Sequence, residues 1–197
     1  GRADGSSRFP KGRKWASFPS GAVAWRITEE PFFRDYHTIN DLKLHTSYGL
    51  SGNQAIDIFS SLAKYRFANY PFDENQTTGL AAERLENNAL SWETTRQLDI
   101  GLDMGLFNNR IYLTTAYYNK TTDDLLLQVN VPLTTGYPTA WKNAGKVRNY
   151  GVEFNINSVN IKKQDFTWSS SLNISFNRNT VKKLYSDLNY FYVSGPG

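Results

Sequence analysis

Between Gln97 and Leu106 apolar and polar residues alternate without a break. Leu98, Ile100, Leu102, Met104 and Leu106 fall on one parity, and Gln97, Asp99, Gly101, Asp103 and Gly105 on the other. A helix would spread these two sets around its whole surface, whereas a strand points successive side chains to opposite faces and sorts them into one apolar and one polar side. The pattern resumes after Asn108-Asn109 with Ile111, Leu113, Thr115 and Tyr117. Two asparagines that tolerate positive φ, set between alternating runs, read as a two-residue hairpin of the primed type. If Leu106 lies opposite Ile111, then Met104, Leu102 and Ile100 lie opposite Leu113, Thr115 and Tyr117, and both strands present their apolar sets on one face.

The same period recurs along the chain. It is legible in Val23, Trp25 and Ile27, in Leu42, Leu44, Thr46 and Tyr48, in Val152, Phe154 and Ile156, and in Phe166, Trp168, Leu172, Ile174 and Phe176. Strands are expected near 17–27, 41–50, 92–107, 110–120, 148–159 and 166–178. A parity change near Val159 and Ile161 predicts a bulge beside the turn at Lys162–Asp165. The expected fold is all-β, an antiparallel meander of six long strands. Its short connections alternate with long loops at 51–91 and 121–147. Loops of that length are uncommon in compact sandwiches, while outer-membrane barrels put short turns on one side and long loops on the other. A strand over 92–106 measures about 50 Å, or about 35 Å in height at a 45° tilt, enough to cross a bilayer core. Trp92, Tyr117, Trp168 and Phe176 are read as aromatic girdle positions. Period 2 alone does not separate lipid from protein core, so a soluble β-sandwich or lipocalin-like ligand-binding module stands as the alternative.

Composition narrows the function classes. The 197 residues include no cysteine, which excludes disulfide staples, thiolate metal sites and a thiol nucleophile. Apolar stretches such as Ala22–Trp25 and Leu125–Leu127 are far too short for a membrane-spanning helix. The start, Gly1–Ser6, carries no signal-peptide pattern. A net charge of +4 with scattered basic residues gives no nucleic-acid footprint. The 19 asparagines suit strands that need apolar residues only at alternate positions.

Several segments resemble, in order, the C-terminal barrel half of SusC/RagA-type TonB-dependent outer-membrane transporters. They are Arg2–Phe9 with Trp15–Ser20 and Ala24–Glu30; Leu42–Leu44 with Ser47–Gln54; Leu90–Thr95 with Asp99–Asp103 and Tyr117–Leu126; and Asn143–Glu153. The resemblance implies a location in the outer membrane of a Gram-negative, Bacteroidetes-like cell. It also implies part of a barrel of about 22 strands that imports a nutrient, glycan or oligosaccharide. Its implied partners are a SusD-like surface lipoprotein, the TonB system and membrane lipid. On this reading the chain is a partial barrel segment without the plug domain. Six strands cannot close a wide barrel, so the isolated piece is expected to self-associate through its edges and apolar face.

Catalytic raw material is thin, and no enzyme, metal or cofactor is expected. His45 and Ser47 share a strand face without a visible orienting carboxylate, and His37 stands apart. Asp99 and Asp103 share a face about 13 Å apart, too far for paired glycosidase carboxylates. Neither Asp123-Asp124 nor Asp73-Glu74 belongs to a calcium loop, and Gly49–Gly52 lacks the Lys-Ser/Thr ending of a phosphate loop. Asn75, Asn119 and Asn173 begin glycosylation-type triplets that are discounted, since two overlap strands. The aromatics of the long loops, Tyr65, Tyr70 and Phe72 with Tyr137 and Trp141, are the candidates for ligand or partner contact. The competing reading is that they pack the loops together. Leu98, Ile100, Leu102, Met104 and Leu106 are the candidates to face lipid.

Overall fold

The computed structural model describes residues 1–33, 36, 38–72 and 75–185. Its strands are β1 (Arg2–Gly5), β2 (Trp15–Phe18), β3 (Ser20–Arg26), β4 (Ile39–Asn53), β5 (Lys64–Phe72), β6 (Asn75–Arg84), β7 (Glu93–Leu106), β8 (Ile111–Asp123), β9 (Leu126–Asn130), β10 (Thr139–Asn143), β11 (Lys146–Lys162) and β12 (Thr167–Lys183). Six of them form one antiparallel sheet in the order β12-β11-β8-β7-β4-β3. The remaining six pair off as the hairpins β1-β2, β5-β6 and β9-β10. The large sheet does not close on itself, and β3 and β12 are its edges.

The register follows from the central hairpin. Leu106 pairs with Ile111, Met104 with Leu113, Leu102 with Thr115 and Ile100 with Tyr117. In the turn, Arg110 N donates to Phe107 O (3.2 Å) around Asn108 and Asn109, whose φ values are 57° and 59°. Phe107 also has a positive φ, 54°, which takes it out of the strand. The parity change in β11 is a register shift between Val159 and Ile161, at the bulge the sequence predicts.

The two long connections are where the sequence reading needs correction. The segment 51–91 holds the end of β4 and the hairpin β5-β6, and 121–147 holds the end of β8 and the hairpin β9-β10. Short strands with few alternations carry too little periodic signal to stand out from loop sequence. A further hairpin, β1-β2, precedes β3.

The buried core lies at the end of the sheet where these connections meet. Phe9, Phe18, Ile56, Leu90 and Trp92 form its cluster, with Ala16, Leu50, Leu126 and Trp141 packed against it. Trp92 is therefore a core residue and not a girdle residue: only 7% exposed, its ring lies 5.2 Å from Phe9 and 5.7 Å from Phe18. Burying such rings is favoured by roughly 1.5–3 kcal/mol each. Polar contacts tie the pieces together. Arg8 Nη1 donates to the carbonyls of Gln54 (3.0 Å) and Ile56 (2.7 Å). Asn143 Nδ2 donates to Ser91 O (2.8 Å) and Asp124 O (3.0 Å), and its Oδ1 accepts from Ser91 N (2.8 Å).

Candidate functional site

Because every strand alternates and the registers agree, the six-stranded sheet has two chemically distinct faces. One carries, in successive cross-strand rows, Val23, Thr46, Ile100, Tyr117, Val152 and Phe176; then Trp25, Leu44, Leu102, Thr115, Phe154 and Ile174; then Leu42, Met104, Leu113, Ile156 and Leu172. The five residues expected to face lipid, Leu98, Ile100, Leu102, Met104 and Leu106, all lie on this face. Trp25, Leu44, Ile100, Leu172, Ile174 and Phe176 are exposed on it. Tyr117 and Phe176 share the Ile100 row inside the apolar band, while Tyr48 and Tyr150 occupy the Leu98 row at its loop-side margin.

The opposite face is a polar wall. Asp41, Lys43, His45, Ser47, Gln97, Asp99, Asp103, Tyr118, Lys120 and Glu153 alternate onto it. Ser47 Oγ donates to Asp99 Oδ2 (3.3 Å), and Gln97 Nε2 donates to Asp99 Oδ1 (2.9 Å) and Oδ2 (3.1 Å). His45 Nε2 lies 3.8 Å from Asp103 Oδ2, and Arg26 Nε lies 3.7 Å from Asp41 Oδ1. The serine and histidine considered as a pair thus have separate carboxylate partners, and Asp99 and Asp103 serve different neighbours. Such a wall offers fixed hydrogen-bond donors and acceptors to a polar solute. A shallow cavity of about 430 Å³ opens where Ser20, Ser47, Gly49, Gln97 and Asp99 meet.

The loop aromatics fall into two settings. Tyr65 and Tyr70 stand exposed on β5, with Phe67 and Leu80 exposed beside them, and Phe72 closes β5 opposite Asn75. Trp141 is half-buried against the core cluster, and its carbonyl accepts from Asn87 Nδ2 (2.7 Å). Tyr137 is half-buried in the β9-β10 connection just after Gly136, whose φ is 82°. His37, Asp73 and Glu74 lie outside the described residues. Among the described residues, no group of three or more His, Cys, Asp or Glu side chains is placed to hold a metal ion.

Above the apolar band, at the loop end, Asp123 lies between Arg96 and Lys146; the Lys146 Nζ contact is 2.9 Å. No sequence signal marks this cluster, since its members come from three strands.

Long two-faced strands, short turns at one end and a folded cap of hairpins at the other define a segment of an outer-membrane β-barrel wall. The chain belongs to the TonB-dependent receptor family: residues 1–194 match the family described as TonB dependent receptor-like, beta-barrel. It is 43% identical over 196 residues to TonB-dependent receptor P3 of Formosa agariphila, covering 100% of this chain and 20% of that one. It is 40% identical over 202 residues to TonB-dependent receptor SusC of Bacteroides thetaiotaomicron, covering 98% of this chain and 20% of that protein. Its fold matches the solved structure of the RagAB peptide transporter with a TM-score of 0.87 at 31% identity, over 98% of this chain and 21% of that one. The chain thus spans about a fifth of the length of the relatives it matches.

Proposed function

We propose that this segment is part of the barrel wall of an active nutrient importer in the outer membrane, with its apolar face against lipid and its polar face lining the lumen. The observation that carries the reading is the row-by-row segregation of the two faces across six strands. Ile100, Leu172, Ile174 and Phe176 are exposed on the apolar face of this segment, in keeping with a surface turned to lipid. Family membership supports energy input from the TonB system, and the likeness to SusC and RagAB supports a SusD-like surface lipoprotein as partner. The wall takes part by shaping a passage, not by breaking bonds, so this reading assigns it no enzymatic step. The exposed aromatics Tyr65 and Tyr70, together with Phe72, Tyr137 and Trp141, are the proposed contacts to the partner or ligand.

For the cargo we infer a glycan or oligosaccharide, a class that the hydroxyl, amide and carboxylate groups of the polar wall suit. The RagAB neighbours, described as peptide importers, favour a short peptide as the second reading. Uptake of labelled oligosaccharide and labelled peptide by cells with and without the receptor carrying this segment decides between them. Loss of neither uptake on deletion would refute the importer reading. The isolated chain, with two open edges and an uncovered apolar face, should self-associate without detergent. Light scattering tests this, and a monodisperse, cooperatively melting monomer would favour the soluble binding module instead.

A further inference from the structure

The apolar face changes character toward the long connections. Its Leu98 row reads Tyr48, Leu98, Asn119, Tyr150 and Arg178; the next reads Leu50, Arg96, Thr121, Arg148 and Thr180; the last reads Gly52, Thr94, Asp123, Lys146 and Lys183. Five cations and one carboxylate share these three rows. At the opposite end, the row of Leu106, Ile111, Ser158 and Ser170 carries no charge. Asp123 accounts for Arg96 and Lys146. Among the described residues, Arg148 and Arg178 have no carboxylate partner.

Arg148 is nevertheless held in place. Its Nε donates to Asn119 Oδ1 at 3.0 Å, and its guanidinium carbon lies 4.7 Å from the Tyr150 ring centroid. These contacts leave the terminal N–H groups of its fork for another acceptor, and Arg178 pairs in register with Tyr150 on the adjacent strand. A charge in the hydrocarbon is strongly disfavoured, so arginines on a lipid-facing surface belong at headgroup level. The long connections of such barrels lie outside the cell, which puts these rows in the outer leaflet. Guanidinium forks match phosphate oxygens two at a time.

We propose that Arg148 and Arg178, flanked by the Arg96–Asp123–Lys146 cluster, bind a phosphorylated lipid headgroup of the outer leaflet on the outside of the barrel wall. The rows immediately below, with Val152, Phe154, Ile174 and Phe176, suit the acyl chains of the same molecule. That continuity favours a lipid over a free anion. The proposal rests on the lipid-facing reading of the apolar face.

The test uses the purified receptor carrying this segment, in detergent micelles doped with monophosphorylated lipid A or with the same lipid dephosphorylated, read by native mass spectrometry. The phosphorylated lipid should be retained preferentially. R148Q/R178Q should weaken its retention roughly 30-fold, the effect of two headgroup-level cations, while K163Q in the opposite turn leaves it unchanged. Equal retention of the two lipids overturns the proposal, and that comparison needs no variant to fold. Competition by inorganic phosphate as effective as by the lipid would reduce the site to an anion site and overturn the lipid assignment. A nitroxide at Leu102→Cys separates the underlying reading: accessible to oxygen in lipid, it leaves the lipid-facing face standing even if the headgroup site fails, and inaccessible, it removes both.

Discussion

The imidazole of His45 fills the space that a side chain on Gly101 would occupy: a Cβ built there collides with Cε1 and Nε2 of the ring. The two residues are directly opposite in β4 and β7. A glycine weakens a strand because it has nothing to pack, and a ring reaching across from the neighbouring strand covers the exposed backbone. The same arrangement recurs with Tyr118 directly opposite Gly151, where Oη lies 2.7 Å from the built Cβ, and a diagonal version with Tyr70 over Gly79, where Cε1 lies 2.6 Å away.

Gly101→Ala should therefore be destabilising, although alanine has the better strand propensity. The methyl group must push the far end of the His45 side chain, which is 42% exposed, from its place beside Asp103. The cost is about 1 kcal/mol or less, because the ring can swing away from a site that is not closed. Removing the ring in G101A/H45A should recover most of the loss. Unfolding of the receptor in detergent or lipid measures both, and a G101A variant as stable as the parent would show that the ring is not held there.

Leu102 and Asp103 are neighbours on opposite faces. Leu102→Arg should destabilise the barrel by about 2–4 kcal/mol if its row lies near the midplane. Asp103→Asn, which loses a partly exposed contact with His45 at 3.8 Å, should change stability by less than about 1 kcal/mol. Equal tolerance of the two substitutions in a lipid refolding assay would reverse the assignment of the faces.

In the β7-β8 turn, Asn109 has a φ of 59°. Glycine adopts this conformation without strain, so Asn109→Gly should be neutral or stabilising. Asn109→Val should weaken the hairpin by about 1–2 kcal/mol, the penalty for a side chain in the left-handed region. Hydrogen exchange at Leu106 and Ile111 reports the hairpin directly, and unchanged protection in the valine variant would contradict the turn geometry.

The two faces of the wall, the β7-β8 register and the β11 bulge are legible in residue order alone. A strand's alternation is a property of its own backbone, and once Asn108-Asn109 sets the turn, pairing of Leu106 with Ile111 dictates every pair behind it. The cap is different in kind. Phe9, Phe18, Ile56, Leu90 and Trp92 come from four separate stretches with no common period, and only the meeting of their connections buries them together. That is why Trp92, the residue before a lipid-suited strand, reads as girdle in the sequence and is core in the fold. The short hairpins β5-β6 and β9-β10, the Arg96–Asp123–Lys146 cluster and the rings laid over glycines likewise depend on cross-strand neighbours, which tertiary structure alone selects.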